Sequence, residues 1–258
     1  MSLARKHRDR VLAEMTALAS SGDVTSTAPA VEVPFYASAQ DRTATIAAAQ
    51  IGARLTHDLR RLKEIKSIAH KIAAKREMLP EYADWVAGLL SGAQAAGAGV
   101  SGDVLPTVMV WRIDVGDFAG AMPLIEHVLA HKVAMPTRYA RDAATLIVEE
   151  IADSAIKAQA ADRPFDLAIL EQVWALTADD DMHDEVRAKL LKAIGFELDR
   201  AAQTASGAGA DATPLFVRSL TAMKAAQALH DRVGVKTTIK AVEKRLAAAK
   251  LDTAGLTG

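Results

Sequence analysis

The sequence predicts an all-α protein built of helical hairpins, tetratricopeptide-like in the middle and C-terminal parts, with a long basic amphipathic helix near the N-terminus. Three observations predict it: alanine is abundant, aromatic residues make up only 4% of 258 residues, and the alternating Val/Ile/Thr segments that strands require are nearly absent. Half of the chain is hydrophobic, enough for one large or two small cores. No uninterrupted apolar run reaches the roughly 18 residues of a membrane helix, and MSLARKHRDRVLAEM lacks the apolar block of a secretory signal. A cytoplasmic protein without a membrane partner is expected. Zero cysteines remove disulfides, thiolate zinc sites and Cys nucleophiles.

The net charge of −1 conceals a segregation. Residues 1–77 hold 13 Lys and Arg against 8 Asp and Glu, residues 78–200 hold 10 against 20, and residues 201–258 hold 8 against 4. Basic ends flank an acidic middle, a pattern that suits a polyanion at the ends, or solvated helix faces whose charge drifts along the chain. The expected segments are 1–40, a basic helix and flexible linker; 41–78, a long basic amphipathic helix; 79–204, an acidic helical-hairpin core; and 205–258, a linker and a C-terminal basic helical pair.

Leu3 to Ala19 forms the first helix, with Arg5, Lys6, Arg8 and Arg10 near its start, where cations oppose the helix dipole. Phosphate contact or solvation would explain them. Ser20 to Ser38, with Pro29 and Pro34 among small polar residues, is a linker. The next helix is expected from Asp41 to Glu77. Ile51, Leu55, Leu59, Leu62, Ile65, Ala69 and Ile72 form one stripe on it, and Arg60, Lys63, Lys71 and Lys75 lie opposite. Its length calls for a kink or for pairing with another subunit. Between Arg54 and Glu77, 8 basic residues face 3 acidic ones, which points towards nucleic acid.

Leu79-Pro80 ends that helix, EYADWVAGLL makes a short one, and SGAQAAGAGVSGD is a flexible connection. In VMVWRIDVGDFAGAMPLIEHVLAHK, Gly116 suits the left-handed end of one helix and Asp117 the N-cap of the next. The small Gly120 and Ala121 let the pair approach, with Trp111 as a wedge. Asp114-Val115-Gly116-Asp117 is thus the turn of a helical hairpin. Helices follow at Arg141–Ala160, Asp166–Leu176 and Asp184–Ala202. A linker at Ala205–Pro214 precedes a closing pair, Leu215–Arg232 and Val235–Lys250, turned at Gly234.

The chain contains no P-loop, GxSxG, HExxH or glycine-rich dinucleotide motif. TADDDMHDE, with Asp179, Asp180, Asp181, His183, Asp184 and Glu185, has the composition of a Mg²⁺ site for phosphodiester hydrolysis. Asp181 to Glu185 equally suit the cap and first turn of the following helix. Glu149-Glu150 diverge by about 100° on a helix and clamp one ion poorly. His127 and His131 lie one turn apart without an evident third ligand, so no metal or cofactor is expected. Trp85, Trp111 and Trp174 sit at apolar positions that suit core packing.

Leu79-Pro80, Trp85-Val86, Gly88 and VMVWRIDVGDFAGA resemble the small terminase subunits of peduovirus-type tailed phages, the GpM-like family, often labelled terminase endonuclease subunits. RKHRDRVLAEM, Glu149-Glu150, DMHDEVRAKL and GVKTTIKAVEKRL continue the resemblance over nearly the whole chain. Val115 departs from the family's threonine, and the chain ends KLDTAGLTG without the basic tail of some relatives. The resemblance implies a homo-oligomeric ring in the host cytoplasm that binds double-stranded viral DNA near the cohesive-end site and loads it onto the large terminase subunit. That larger partner would hold the ATPase and nuclease, so this chain has no expected catalytic residue. The expected phosphate contacts are Arg54, Arg60, Arg61, Lys63, Lys66, Lys71, Lys75 and Arg76, then Arg5, Lys6, Arg8 and Arg10. Two alternatives stay open: a metal-dependent endonuclease using Asp179–Glu185, and a helical adaptor for large terminase or portal that never touches DNA.

Overall fold

The computed structural model describes residues 3–20 and 39–255. Among them every regular element is helical, as predicted. In chain order these are α1 (Leu3–Ser20), α2 (Ala39–Glu64), α3 (Ile68–Met78), a 3₁₀ turn (Leu79–Glu81), α4 (Ala83–Ala96), α5 (Val104–Val115) and α6 (Phe118–Ala130). They continue as α7 (Ala143–Ala160), α8 (Leu167–Leu176), α9 (Asp184–Gly207), α10 (Thr213–Leu229) and α11 (Lys236–Gly255). No helix among the described residues is long and apolar enough to cross a membrane. The chain forms two compact units, 1–143 and 144–258. The expected linker at 20–38 lies, but for Ser20 at the end of α1, outside the described residues.

In the first unit, α1 docks on α4 through small residues. Ala13 and Ala17, one turn apart on α1, are buried against Gly88 and Gly92 of α4. A Cβ on Gly88 would fall 2.2 Å from the carbonyl oxygen of Arg10, and one on Gly92 would fall 2.5 Å from that of Glu14. Neither collision can be relieved by turning a side chain, so the two helix axes can come this close only because both positions lack a Cβ. The basic residues of α1 lie on its outer surface, where Arg5 reaches Asp9 and Arg10 reaches Glu14, each at 3.7 Å.

The single helix expected from Asp41 to Glu77 is two. The backbone leaves helical geometry at residues 65–67, and Ser67 turns extended (φ −71°, ψ 128°) so that its hydroxyl accepts the His70 backbone N–H and caps α3. The apolar spacing continues through the break, which is why periodicity alone missed it; the serine was the local signal. The expected stripe is correspondingly uneven: Leu55 and Leu62 are buried, but Ala69 is exposed. On α3 the buried residues are instead Ala74 and Met78.

The hairpin at 114–117 forms as predicted. Gly116 adopts φ +81° at the end of α5, and Asp117 accepts the Gly120 N–H at 3.0 Å as the cap of α6. Gly120 leaves room for the Arg112–Asp117 ion pair across the turn, since a Cβ there would collide with both side chains. Trp111 is buried edge-on against Tyr82, with ring centroids 5.7 Å apart, so its wedge acts on the segment before α4. The expected short helix and flexible connection after Pro80 differ from the fold: α4 runs on to Ala96, where Gly97 ends it at φ +63°.

In the second unit α9 and α10 pack closely at Gly195, whose missing Cβ leaves space for Met223 and whose carbonyl accepts the Ser219 hydroxyl at 2.8 Å. The linker expected at 205–214 shrinks, because α9 continues to Gly207 and α10 begins at Thr213.

Two glycines separate packing from propensity. Gly88→Ala should lower stability by about 1–3 kcal/mol, as overpacking against backbone does. Gly52→Ala, which meets nothing within 4 Å inside α2, should raise it by up to about 1 kcal/mol. Urea melts of the two variants check this, and equal effects would mean that the α1–α4 approach is not tight.

Candidate nucleic-acid interface

The eight cations expected on the 41–78 segment divide into two groups. Arg54 pairs with Glu81, Arg61 with Glu77 at 2.8 Å, and Lys75 with Asp114. Arg76 donates to the Val115 carbonyl at 3.0 Å. These contacts fasten α2 to the 3₁₀ turn, α2 to α3, and α3 to the α5–α6 hairpin. The hydrogen bond between Arg61 and Glu77, then their mutual attraction, raises the guanidinium pKa and lowers that of the carboxyl. Beside them Tyr82 donates to Asp58 at 2.7 Å, and burial first, then that bond, pushes its phenol pKa up.

Arg60, Lys63, Lys66 and Lys71 behave differently. None makes an ion pair or hydrogen bond among the described residues, the first three are exposed, and Lys71 is half-buried. They surround the α2–α3 turn. Lys63 lies in the last turn of α2, where the helix dipole welcomes a cation, so its place there has an internal explanation. Lys66, two residues past the end of α2, shares that explanation, whereas Lys71 sits in the first turn of α3, where a cation is disfavoured. An open groove of about 700 Å³ runs past this turn, lined by Lys66, Ser67 and His70 but also by Glu64 and the Arg61–Glu77 pair.

On α1, Arg5 and Arg8 share Asp9, Arg10 faces Glu14, and Lys6 is exposed without a partner. The acidic partners of the α2–α3 cations are 16 to 39 residues away in sequence, which hid them from a reading by spacing.

Asp179, Asp180, Asp181, Asp184 and Glu185 are all exposed, and among the described residues no three His, Asp or Glu side chains are placed to hold one metal ion. The expected capping by Asp181–Glu185 needs correction. His183 is the N-cap of α9 and makes no side-chain cap bond, while Asp184 and Glu185 occupy the first turn and act through the dipole. Arg187 fastens the preceding loop by donating to the carbonyls of Thr177 and Asp180 at 3.0 and 2.7 Å. His127 and His131 do stand together, with ring centroids 4.5 Å apart, but His127 Nε2 accepts the Val100 N–H at 3.2 Å.

Residues 52–185 match the phage small terminase subunit family. The chain belongs to that family. It is similar to the terminase, endonuclease subunit of Escherichia phage P2, 38% identical over 197 residues that cover 76% of this chain and 73% of that one. No solved structure matches. The matched region holds all eight α2–α3 cations and the α5–α6 hairpin of this terminase chain, while α1, α10 and α11 lie outside it.

Burial, then the charge of His131, lowers the His127 pKa. The folded imidazole therefore resists a proton that the unfolded chain accepts, so its contribution to stability is present above about pH 6.5 and is lost as pH falls further. The stability of the wild type relative to His127→Gln, from urea melts at pH 7.5 and 5, should fall towards acid. A difference independent of pH would contradict the half-buried neutral imidazole.

Proposed function

We propose that this small terminase subunit binds double-stranded viral DNA near the cohesive-end site, assembles as a homo-oligomeric ring in the host cytoplasm, and loads DNA onto the large terminase subunit for genome packaging. The observation that carries this reading is the set of unpaired cations, Arg60, Lys63, Lys66 and Lys71, around the α2–α3 turn. Arg54, Arg61 and Lys75 have carboxylates of their own, so drawing them onto phosphates would leave an acid without its partner. The four unpaired cations can bind phosphate without that loss. Ring assembly is supported by apolar side chains left at the surface, Leu3, Val11 and Leu18 on α1 and Ile46 on α2.

The phage P2 relative is named an endonuclease subunit. We read that name as membership of a terminase complex whose ATPase and nuclease belong to the large subunit. The exposed acids of the Asp179–Glu185 run, with no three His, Asp or Glu side chains among the described residues placed to hold one metal ion, support this reading.

Affinity for a duplex carrying the cohesive-end site, measured by fluorescence anisotropy, should fall with salt at a log–log slope of about −0.9 per phosphate contact. Arg60→Ala, Lys63→Ala, Lys66→Ala and Lys71→Ala combined should make that slope shallower by up to about 3.6. A salt-independent affinity, or an unchanged slope in the variant, would contradict the assignment. Native mass spectrometry should show a multi-copy ring, and a monomer at all concentrations would contradict it. Incubation with Mg²⁺ or Mn²⁺ should leave the duplex intact; nicking abolished by Asp181→Ala would transfer the reading to the nuclease alternative.

A further inference from the structure

α11 presents a second row of cations on the other unit. Lys236, Lys240 and Lys244 recur every fourth residue, so they share one face of the helix, each about 6 Å along the axis from the next. All three are exposed, and none makes an ion pair or hydrogen bond among the described residues. Arg232, in the turn that leads into the helix, is likewise exposed and unpaired among them.

The other sides of α11 are committed. Val235 and Val242 are buried in the core of the second unit, with Ile239 and Leu246 packed against it. Glu243 turns to Lys224 of α10 at 2.7 Å. Arg245 makes two bonds to Asp199 of α9, at 3.0 and 2.8 Å. These contacts set the rotation of the helix about its axis and draw Glu243 towards α10 and Arg245 towards α9, leaving the three lysines unpaired on the face between them.

Local stability does not explain that face. Like charges four residues apart on a helix repel by a few tenths of a kcal/mol, and Lys236 opens the helix where the dipole disfavours a cation. A polyanion removes both penalties. The row is about 12 Å long, and one strand of a duplex presents a phosphate about every 3.4 Å along its axis, so the row spans some three to four phosphates.

We infer that the lysine face of α11 is a second contact for the backbone of double-stranded DNA, reading no bases and separate from the α2–α3 turn. The inference rests on the DNA-binding reading above, but it concerns residues outside the region that matches the family.

The test uses the full chain and two labelled duplexes of equal length, one carrying the cohesive-end site and one scrambled. Lys236→Ala, Lys240→Ala and Lys244→Ala combined should make the salt slope shallower by about 2.7, equally on both duplexes. Native mass should be unchanged, and the triple Lys→Arg variant should keep the wild-type slope. If the triple Ala variant keeps the wild-type slope while the α2–α3 variant loses its own, the α11 contact is overturned and the DNA-binding reading stands. If the wild type binds neither duplex at low salt, that reading falls and this inference with it. If the triple Ala variant keeps its slope but loses ring mass or binding to purified large subunit, the lysine face is a protein interface and the inference is wrong.

Discussion

The pairing of cations with carboxylates decides what the first unit can offer to a partner. Lys75 and Asp114 keep only 17% and 26% of their side chains exposed, and removing either charge would leave the other poorly solvated. Such a pair is committed to the fold; the Arg54–Glu81 and Arg61–Glu77 pairs, the latter with Glu77 66% exposed, hold α2 more weakly. The cations left over lie around the turn between α2 and α3, and what marks them is less their number than that none makes an ion pair among the described residues, although Glu64 is exposed on the same turn. The break at 65–67 falls among these residues, so that Arg60 and Lys63 belong to α2, Lys66 to the turn and Lys71 to α3.

Close packing of small residues holds that corner in place. α4 carries the 3₁₀ turn and the Glu81 that anchors Arg54, and its own position is set by α1 lying across Gly88 and Gly92. In the second unit Gly195 serves differently, its missing Cβ admitting the Met223 side chain. An alanine-rich, aromatic-poor chain obtains a dense interior in this way, by bringing backbones together where a richer sequence would interpose large side chains.

Much of the fold was legible in the sequence because its signals are local. The α5–α6 hairpin followed from Gly116 and Asp117, whose backbone and capping requirements leave few alternatives, and the bounds of α1 and α8 fell within a residue of those expected. A kink in the long helix was one of two outcomes its length called for, but the position of the α2–α3 break was hidden because the apolar spacing runs through it and a single serine marks it. At the candidate interface the residues were legible and their roles were not. Which cations are engaged depends on Glu77, Glu81 and Asp114, brought near by tertiary structure alone. The α11 lysines were overlooked because charge was weighed by segment, and only the contacts of Glu243 and Arg245 show which face is left bare.

Lysine footprinting most directly tests the division between committed and available cations. Acetylation of each lysine would be followed by mass spectrometry with and without saturating duplex. Protection of Lys63, Lys66 and Lys71, with Lys75 slow to react and unchanged in both states, is the predicted result. Protection of Lys75, or no change at the other three, would contradict it.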